Sequence, residues 1–199
     1  GQLRISGLYA EEQRTGNWRF FYESGILMEE GSYKLNEQHG QWYSYHENGK
    51  LRSIGAFVNG LEDGLWGLFH ENGQLMLEEQ WKGGTIWNIS DYITQKGDTL
   101  PSGTLSNGAG EKIDYYKNGK PEIICQFLNG IPDGKWKYYL EDGTLVEEGF
   151  FKEGIKTGSW IFYHKNGKKE SEGNFVDGEK KDVWKYYYRS GNLKRSIKH

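Results

Sequence analysis

A tryptophan recurs every 24 residues along most of the chain. Trp18, Trp42 and Trp66 keep that spacing, as do Trp136, Trp160 and Trp184, and the 70 residues from Trp66 to Trp136 fall two short of three periods. A period of this length belongs to a chain built from small supersecondary units that bury their apolar side chains against their neighbours. Each Trp is preceded two residues earlier by Gly16, Gly40, Gly64, Gly134 or Gly158, with Asp182 as the departure. It is followed three residues later by Phe21, Tyr45, Phe69, Tyr139, Tyr163 or Tyr187, and seven later by a glycine such as Gly49 or Gly167. A leucine comes nine later except at Lys169. A second glycine (Gly31, Gly55, Gly149, Gly173) and a second aromatic (Tyr33, Phe57, Trp81, Phe151, Phe175) close the unit.

The period organises the whole sequence as a single repeat domain over residues 1–199. Residues 1–15 form a partial N-terminal repeat, because Leu3, Gly7 and Tyr9 stand where the second half of a unit would put them. Residues 16–87 hold three regular repeats. Residues 88–109 are a degenerate repeat, with Ser90 in place of Trp and Leu105 in place of the second aromatic. Gly108 and Gly110 are two apart where Gly60 and Gly64 are four apart, which places the two missing residues in the turn that returns to the next unit. Residues 110–133 are a weak repeat in which Lys112 replaces Trp, and residues 134–199 hold three more, the last incomplete.

Composition makes these units β-structure. The chain has 29 Gly, 8 Trp, 14 Tyr and 9 Phe but only 2 Met, and Gly is about 1 kcal/mol worse than Ala at a helical position. The tips read Asn48-Gly49, Asn72-Gly73, Asp142-Gly143 and Asn166-Gly167, a strong hairpin signal that predicts tight two-residue turns. Positions counted from each Trp then pair across the hairpin when they sum to 13. That register sets Trp18 opposite Gly31, Trp42 opposite Gly55, Trp136 opposite Gly149 and Trp160 opposite Gly173. It also matches Arg19 with Glu30, Lys137 with Glu148, Tyr43 with Ile54 and Ile113 with Ile124, so charge meets opposite charge and apolar meets apolar. A three-residue turn with Gly in a bulge is the alternative, and it shifts the pairing sum by one. The expected fold is all-β, an elongated antiparallel meander of tandem hairpins forming one sheet of about 17 strands.

The Gly-x-Trp-x-x-aromatic, Asn-Gly-x-Leu, Glu-Gly-x-aromatic, Asn-Gly pattern resembles the bacterial MORN-repeat variant, a relative of the membrane occupation and recognition nexus repeat. The resemblance covers nearly the whole chain and weakens over residues 88–133. It implies an elongated all-β binding or scaffolding module without catalytic activity, and some variant members are described as antitoxins of toxin–antitoxin pairs.

Chemistry-bearing motifs are few. His46, His70 and His164 each fall four residues after a Trp, but equivalent residues of adjacent hairpins lie roughly 9.6 Å apart, too far to share a metal ion. The pairs Glu29-Glu30, Glu78-Glu79 and Glu147-Glu148 recur with the repeat, and neighbours on a strand face opposite ways. Cys125 stands where the second glycine belongs and reads as a buried small residue. The run Ser106-Asn107-Gly108-Ala109-Gly110 lacks the Gly-Lys-Ser/Thr of a phosphate loop. No catalytic residue, metal or cofactor is expected. The net charge of -3 argues against nucleic-acid and membrane partners, and no apolar run is long enough for a membrane-spanning helix.

A single-layer sheet cannot bury both faces, so its aromatic rows are the candidate binding surface, in particular Phe21, Tyr45, Phe69, Tyr139, Tyr163 and Tyr187. The expected function is a non-enzymatic interaction module for a protein partner, with a toxin as one candidate. A glycan- or membrane-surface-binding protein is the alternative. The stretch 88–109 reads either as a bend or as a recognition element. A lone first strand, Leu3 to Tyr9, offers an unpaired edge for weak dimers. The sequence leaves the compartment open between the cytoplasm and export after loss of an N-terminal signal.

Overall fold

The structure, a computed structural model, describes residues 4–199, and among them there is no helix. Leu3, expected to open the first strand, lies outside the described residues. Two compact units divide the chain, one ending at Leu100 and one running from Pro101 to His199. The first holds an eight-stranded antiparallel sheet in chain order, β1 (Ile5–Ala10), β2 (Gln13–Phe21), β3 (Leu27–Lys34), β4 (Glu37–Tyr45), β5 (Leu51–Val58), β6 (Leu61–Phe69), β7 (Leu75–Lys82) and β8 (Thr85–Ile89). A two-stranded hairpin, β9 (Tyr92–Ile93) and β10 (Thr99–Leu100), follows it. The second unit holds another eight-stranded sheet, β11 (Gly110–Tyr115), β12 (Pro121–Leu128), β13 (Ile131–Tyr139), β14 (Leu145–Lys152), β15 (Ile155–Tyr163), β16 (Lys169–Val176), β17 (Glu179–Tyr187) and β18 (Leu193–Lys198). The tandem antiparallel meander is as the period requires, but it is built as two sheets and not one.

Register follows the sum of 13. Trp18 pairs with Gly31, Trp42 with Gly55, Trp136 with Gly149 and Trp160 with Gly173. Arg19 meets Glu30, Lys137 meets Glu148, Tyr43 meets Ile54 and Ile113 meets Ile124.

The turns differ from expectation. At a tip, His46 N–H donates to Lys50 O and Gly49 N–H donates to His46 O, so the loop has three residues and only Gly49 takes positive φ, 80°. Asn48 contributes a side chain instead of a left-handed backbone, its Oδ1 accepting from Lys50 N–H. Arg52 then bulges out of the ladder, which restores the sum of 13 beyond it. The two-residue turns lie at the opposite end of the strands. Asn59 and Gly60 (φ 51° and 76°) and Asp177 and Gly178 (φ 51° and 80°) have both central residues left-handed, as a tight hairpin in a right-twisted sheet demands.

The core is a row of rings on one face. Trp42 lies flat on Gly31 of the unit before it, where a Cβ would fall 2.3 Å from the ring, and Trp184 lies on Gly173 in the same way. The hairpin partner of Gly31 is Trp18, yet the indole that covers it comes from the strand on the other side. The indole N–H then donates to the next carbonyl, Trp42 to Ser32 O, Trp160 to Phe150 O and Trp184 to Asn174 O. Second aromatics fill the gaps edge-on, with Trp42 5.3 Å from Tyr33 and 5.9 Å from Phe57.

This arrangement explains where the meander lapses. Glu79 takes the place of a second glycine, leaving no flat seat, and Ser90 takes the place of the indole that would have used it. Ser90 instead accepts Glu78 N–H on its hydroxyl and donates its own N–H to Glu78 O, the last rungs of the first sheet. At the other imperfect seat, Cys125 donates its thiol to Gln126 O, the acceptor an indole would take. Trp136, facing Cys125, sends its N–H to Glu147 Oε1 and remains half-exposed.

Candidate functional site

The six residues expected to form a binding row stand three after each Trp, an odd offset that puts them on the face opposite the indoles. Phe21, Tyr45 and Phe69 sit on β2, β4 and β6, and Tyr139, Tyr163 and Tyr187 on β13, β15 and β17. All six are half-buried. Three of their hydroxyls are engaged by a carboxylate of the preceding unit, Tyr45 with Glu30 at 2.9 Å, Tyr163 with Glu148 at 2.6 Å and Tyr187 with Glu172. Burial first, then the adjacent carboxylate, pushes the Tyr45 and Tyr163 phenols up to about 12. For Tyr187 the hydrogen bond to Glu172 is the main cause of a rise.

Other polar candidates are also tied into the repeat. His46, His70 and His164 place Nε2 2.8, 2.6 and 3.1 Å from the carbonyls of Phe69, Ile93 and Tyr187, donating to a strand of the following unit. Tyr22 and Tyr116 do the same with a hydroxyl, which is why His and Tyr alternate at that position. Glu29 and Glu30 face opposite ways, to Arg52 and Arg19 respectively. Burial pushes the Cys125 thiol up to about 12, which suppresses the thiolate a nucleophile needs.

The indole face has an opening. In three repeats the residue four before Trp supplies a cation that covers the ring from above. The Arg14 guanidinium sits 4.9 Å from the Trp18 centroid, Lys156 Nζ 3.8 Å from Trp160 and Lys180 Nζ 4.2 Å from Trp184. Those indoles are 3%, 0% and 0% exposed. Before Trp42, Trp66 and Trp136 the same position holds Gln38, Glu62 and Pro132. Between the Trp42 and Trp66 repeats lies a cleft of about 210 Å³, lined by Glu29, Gln38, Trp42, Tyr43, Ser44, Arg52, Ser53, Phe57, Glu62 and Trp66. Ser44 helps to open it, because its counterpart Phe162 stacks on Trp160 at 6.0 Å. Among the described residues the Glu62 carboxylate has no hydrogen bond or ion pair, and Trp66 Nε1 is buried without an acceptor. The signal is present in the sequence as a charge that varies at one fixed repeat position, from Arg14 through Gln38 and Glu62 to Lys156 and Lys180. Its meaning lies in the three-dimensional stack, where that position stands over the ring.

The sequence profile of the MORN repeat variant matches residues 14–35, 38–59, 62–82, 110–129, 132–153, 156–177 and 183–198. The chain belongs to the MORN repeat variant family. Five of the seven MORN matches begin at the residue four before Trp, the position of Arg14, Gln38, Glu62, Pro132 and Lys156, so the variable cover of the indole is part of the repeat itself. The matches pass over residues 83–109, where Ser90 stands in place of the indole. MORN repeats form scaffolds that are not typically enzymatic and generally bind proteins or membranes. A search of curated proteins returns no match to the chain.

Proposed function

We propose that this MORN repeat protein is a non-enzymatic scaffold that binds a protein partner on the indole face of its first sheet. The observation that carries the reading is the cleft at Trp66, an aromatic-walled opening with an unpartnered carboxylate, whereas the indoles of Trp18, Trp42, Trp160 and Trp184 are covered. Buried aromatics beside a partly desolvated charge are what anchor residues of a protein partner fill. The engagement of His46, His70, His164 and Cys125 in structural contacts supports a role without catalysis. A glycan would call for flat, exposed ring platforms, and the Trp66 cleft is a slot.

The test is affinity capture with the full chain, followed by titration of each purified candidate. Saturable binding by a purified protein, weakened by changes in the cleft, is the expected result. A saturable hit on a glycan array with no protein partner would replace this reading with the glycan alternative. Binding lost through Tyr163→Ala and untouched by cleft changes would move the interface to the opposite face.

A further inference from the structure

We propose that the Trp66 cleft receives an arginine or lysine side chain of the partner, which takes the place over the indole that the chain's own cation occupies in other repeats. The proposal rests on the protein-binding reading above and adds the chemistry of what is bound. The internal comparison carries it. At Trp160 the site over the ring is filled by Lys156, whose Nζ is 3.8 Å from the ring centroid and 3.4 Å from Glu147 Oε2. At Trp184 it is filled by Lys180. At Trp66 the equivalent residue is Glu62, so the position has changed from cation to anion while the ring is kept. An indole face and a carboxylate attract the same ligand, a cation, through the ring quadrupole and by direct charge pairing. The cation that lines the cleft is Arg52, and it is engaged, with Nη2 3.3 Å from Glu29 Oε1 and Nε donating to Ser44 Oγ at 3.1 Å. Glu62 is therefore the free charge of the cleft.

Among the six indoles at the 24-residue spacing, Trp136 is the other half-exposed one, and it does not share these features. Pro132 stands over its repeat position, its N–H is held by Glu147, and that carboxylate already pairs with Lys156.

The experiment is a titration of the ¹⁵N-labelled full chain with acetyl-Gly-Arg-Gly-amide and acetyl-Gly-Lys-Gly-amide, with acetyl-Gly-Gln-Gly-amide as the neutral control, read at the tryptophan indole resonances. Saturable shifts at Trp66 with the cationic peptides, and none with the neutral one, are expected. Glu62→Gln, which keeps size and removes charge, should weaken binding about tenfold. Glu62→Lys, which rebuilds the Lys180 arrangement, should abolish it and leave the remaining indole resonances in place. Equal shifts with the neutral peptide, no shift with any peptide, or unchanged binding by Glu62→Lys would each overturn the proposal. Peptide binding without any protein partner would leave the cation site standing and remove the proposed function. A protein partner indifferent to Glu62→Lys would do the reverse.

Discussion

Gly173 shows why a glycine can be as structural as a core leucine. A Cβ there would lie 2.4 Å from the Trp184 ring, so Gly173→Ala has to lift a fully buried indole off its seat and break its bond to Asn174 O. Overpacking of this kind costs about 1 to 3 kcal/mol, and a loss near the upper end is expected in urea denaturation. Cys125→Gly is the converse experiment. It frees both the seat and the Gln126 carbonyl for Trp136, so exchange of the Trp136 indole proton should slow. Tyrosines give the pH dependence. The Tyr45 and Tyr163 phenols are pushed up to about 12 in the folded chain, above the roughly 10 of an unfolded one. Their contribution is complete below that lower value and disappears as pH rises through the higher one. The urea midpoint should fall across that alkaline window, and Tyr45→Phe with Tyr163→Phe should flatten the fall. The residue pairs across each hairpin were legible in the sequence, because register follows from alternation and charge matching. The seat of each indole was not, because the ring reaches over the strand on its other side.

The hairpin as an element is held to the next hairpin at both ends. At the tips, Asn48 Nδ2 donates to Glu71 O while its Oδ1 accepts Lys50 N–H, and Asn118 and Asn166 repeat both bonds. At the returns, Gly60 N–H donates to Gln38 O and Gly154 N–H to Pro132 O. Asp142 has the acceptor and lacks the donor, so the ladder is incomplete at that tip. Asp142→Asn should supply a link to the following tip and raise stability by about 0.5 to 1 kcal/mol, measured as a shift in Tm. The Asn-Gly tips were legible as turns, but not their length. Asn favours both the left-handed backbone and a side-chain bond to the residue two ahead, and here the second use prevails because it also reaches the neighbouring tip. At the first edge, all six residues of β1 are exposed, with Ile5, Leu8 and Tyr9 at 50%, 65% and 63%. Its outer side has no strand partner among the described residues, and we propose weak self-association through it. Sedimentation velocity should show a concentration-dependent dimer, and a strict monomer at high concentration would contradict it.

In both sheets a seat of glycine and indole is repeated and interrupted, and in three repeats a cation of the chain covers the ring. The period announced the repeats and located the degenerate stretch, since a chain of such units shows its lapses as missing fixed points. It did not announce that the sheet ends there, because that follows from Glu79 and Ser90 failing as a pair. Nor did it single out the cleft, which depends on what sits above a ring. The most direct measurement is a crystal structure of the full chain with acetyl-Gly-Arg-Gly-amide. The guanidinium should lie over the Trp66 ring at about the 4 to 5 Å seen for the internal cations, within hydrogen-bonding distance of the Glu62 carboxylate. A peptide seated on the opposite face, along Tyr45 or Tyr163, would contradict the assignment of the cleft.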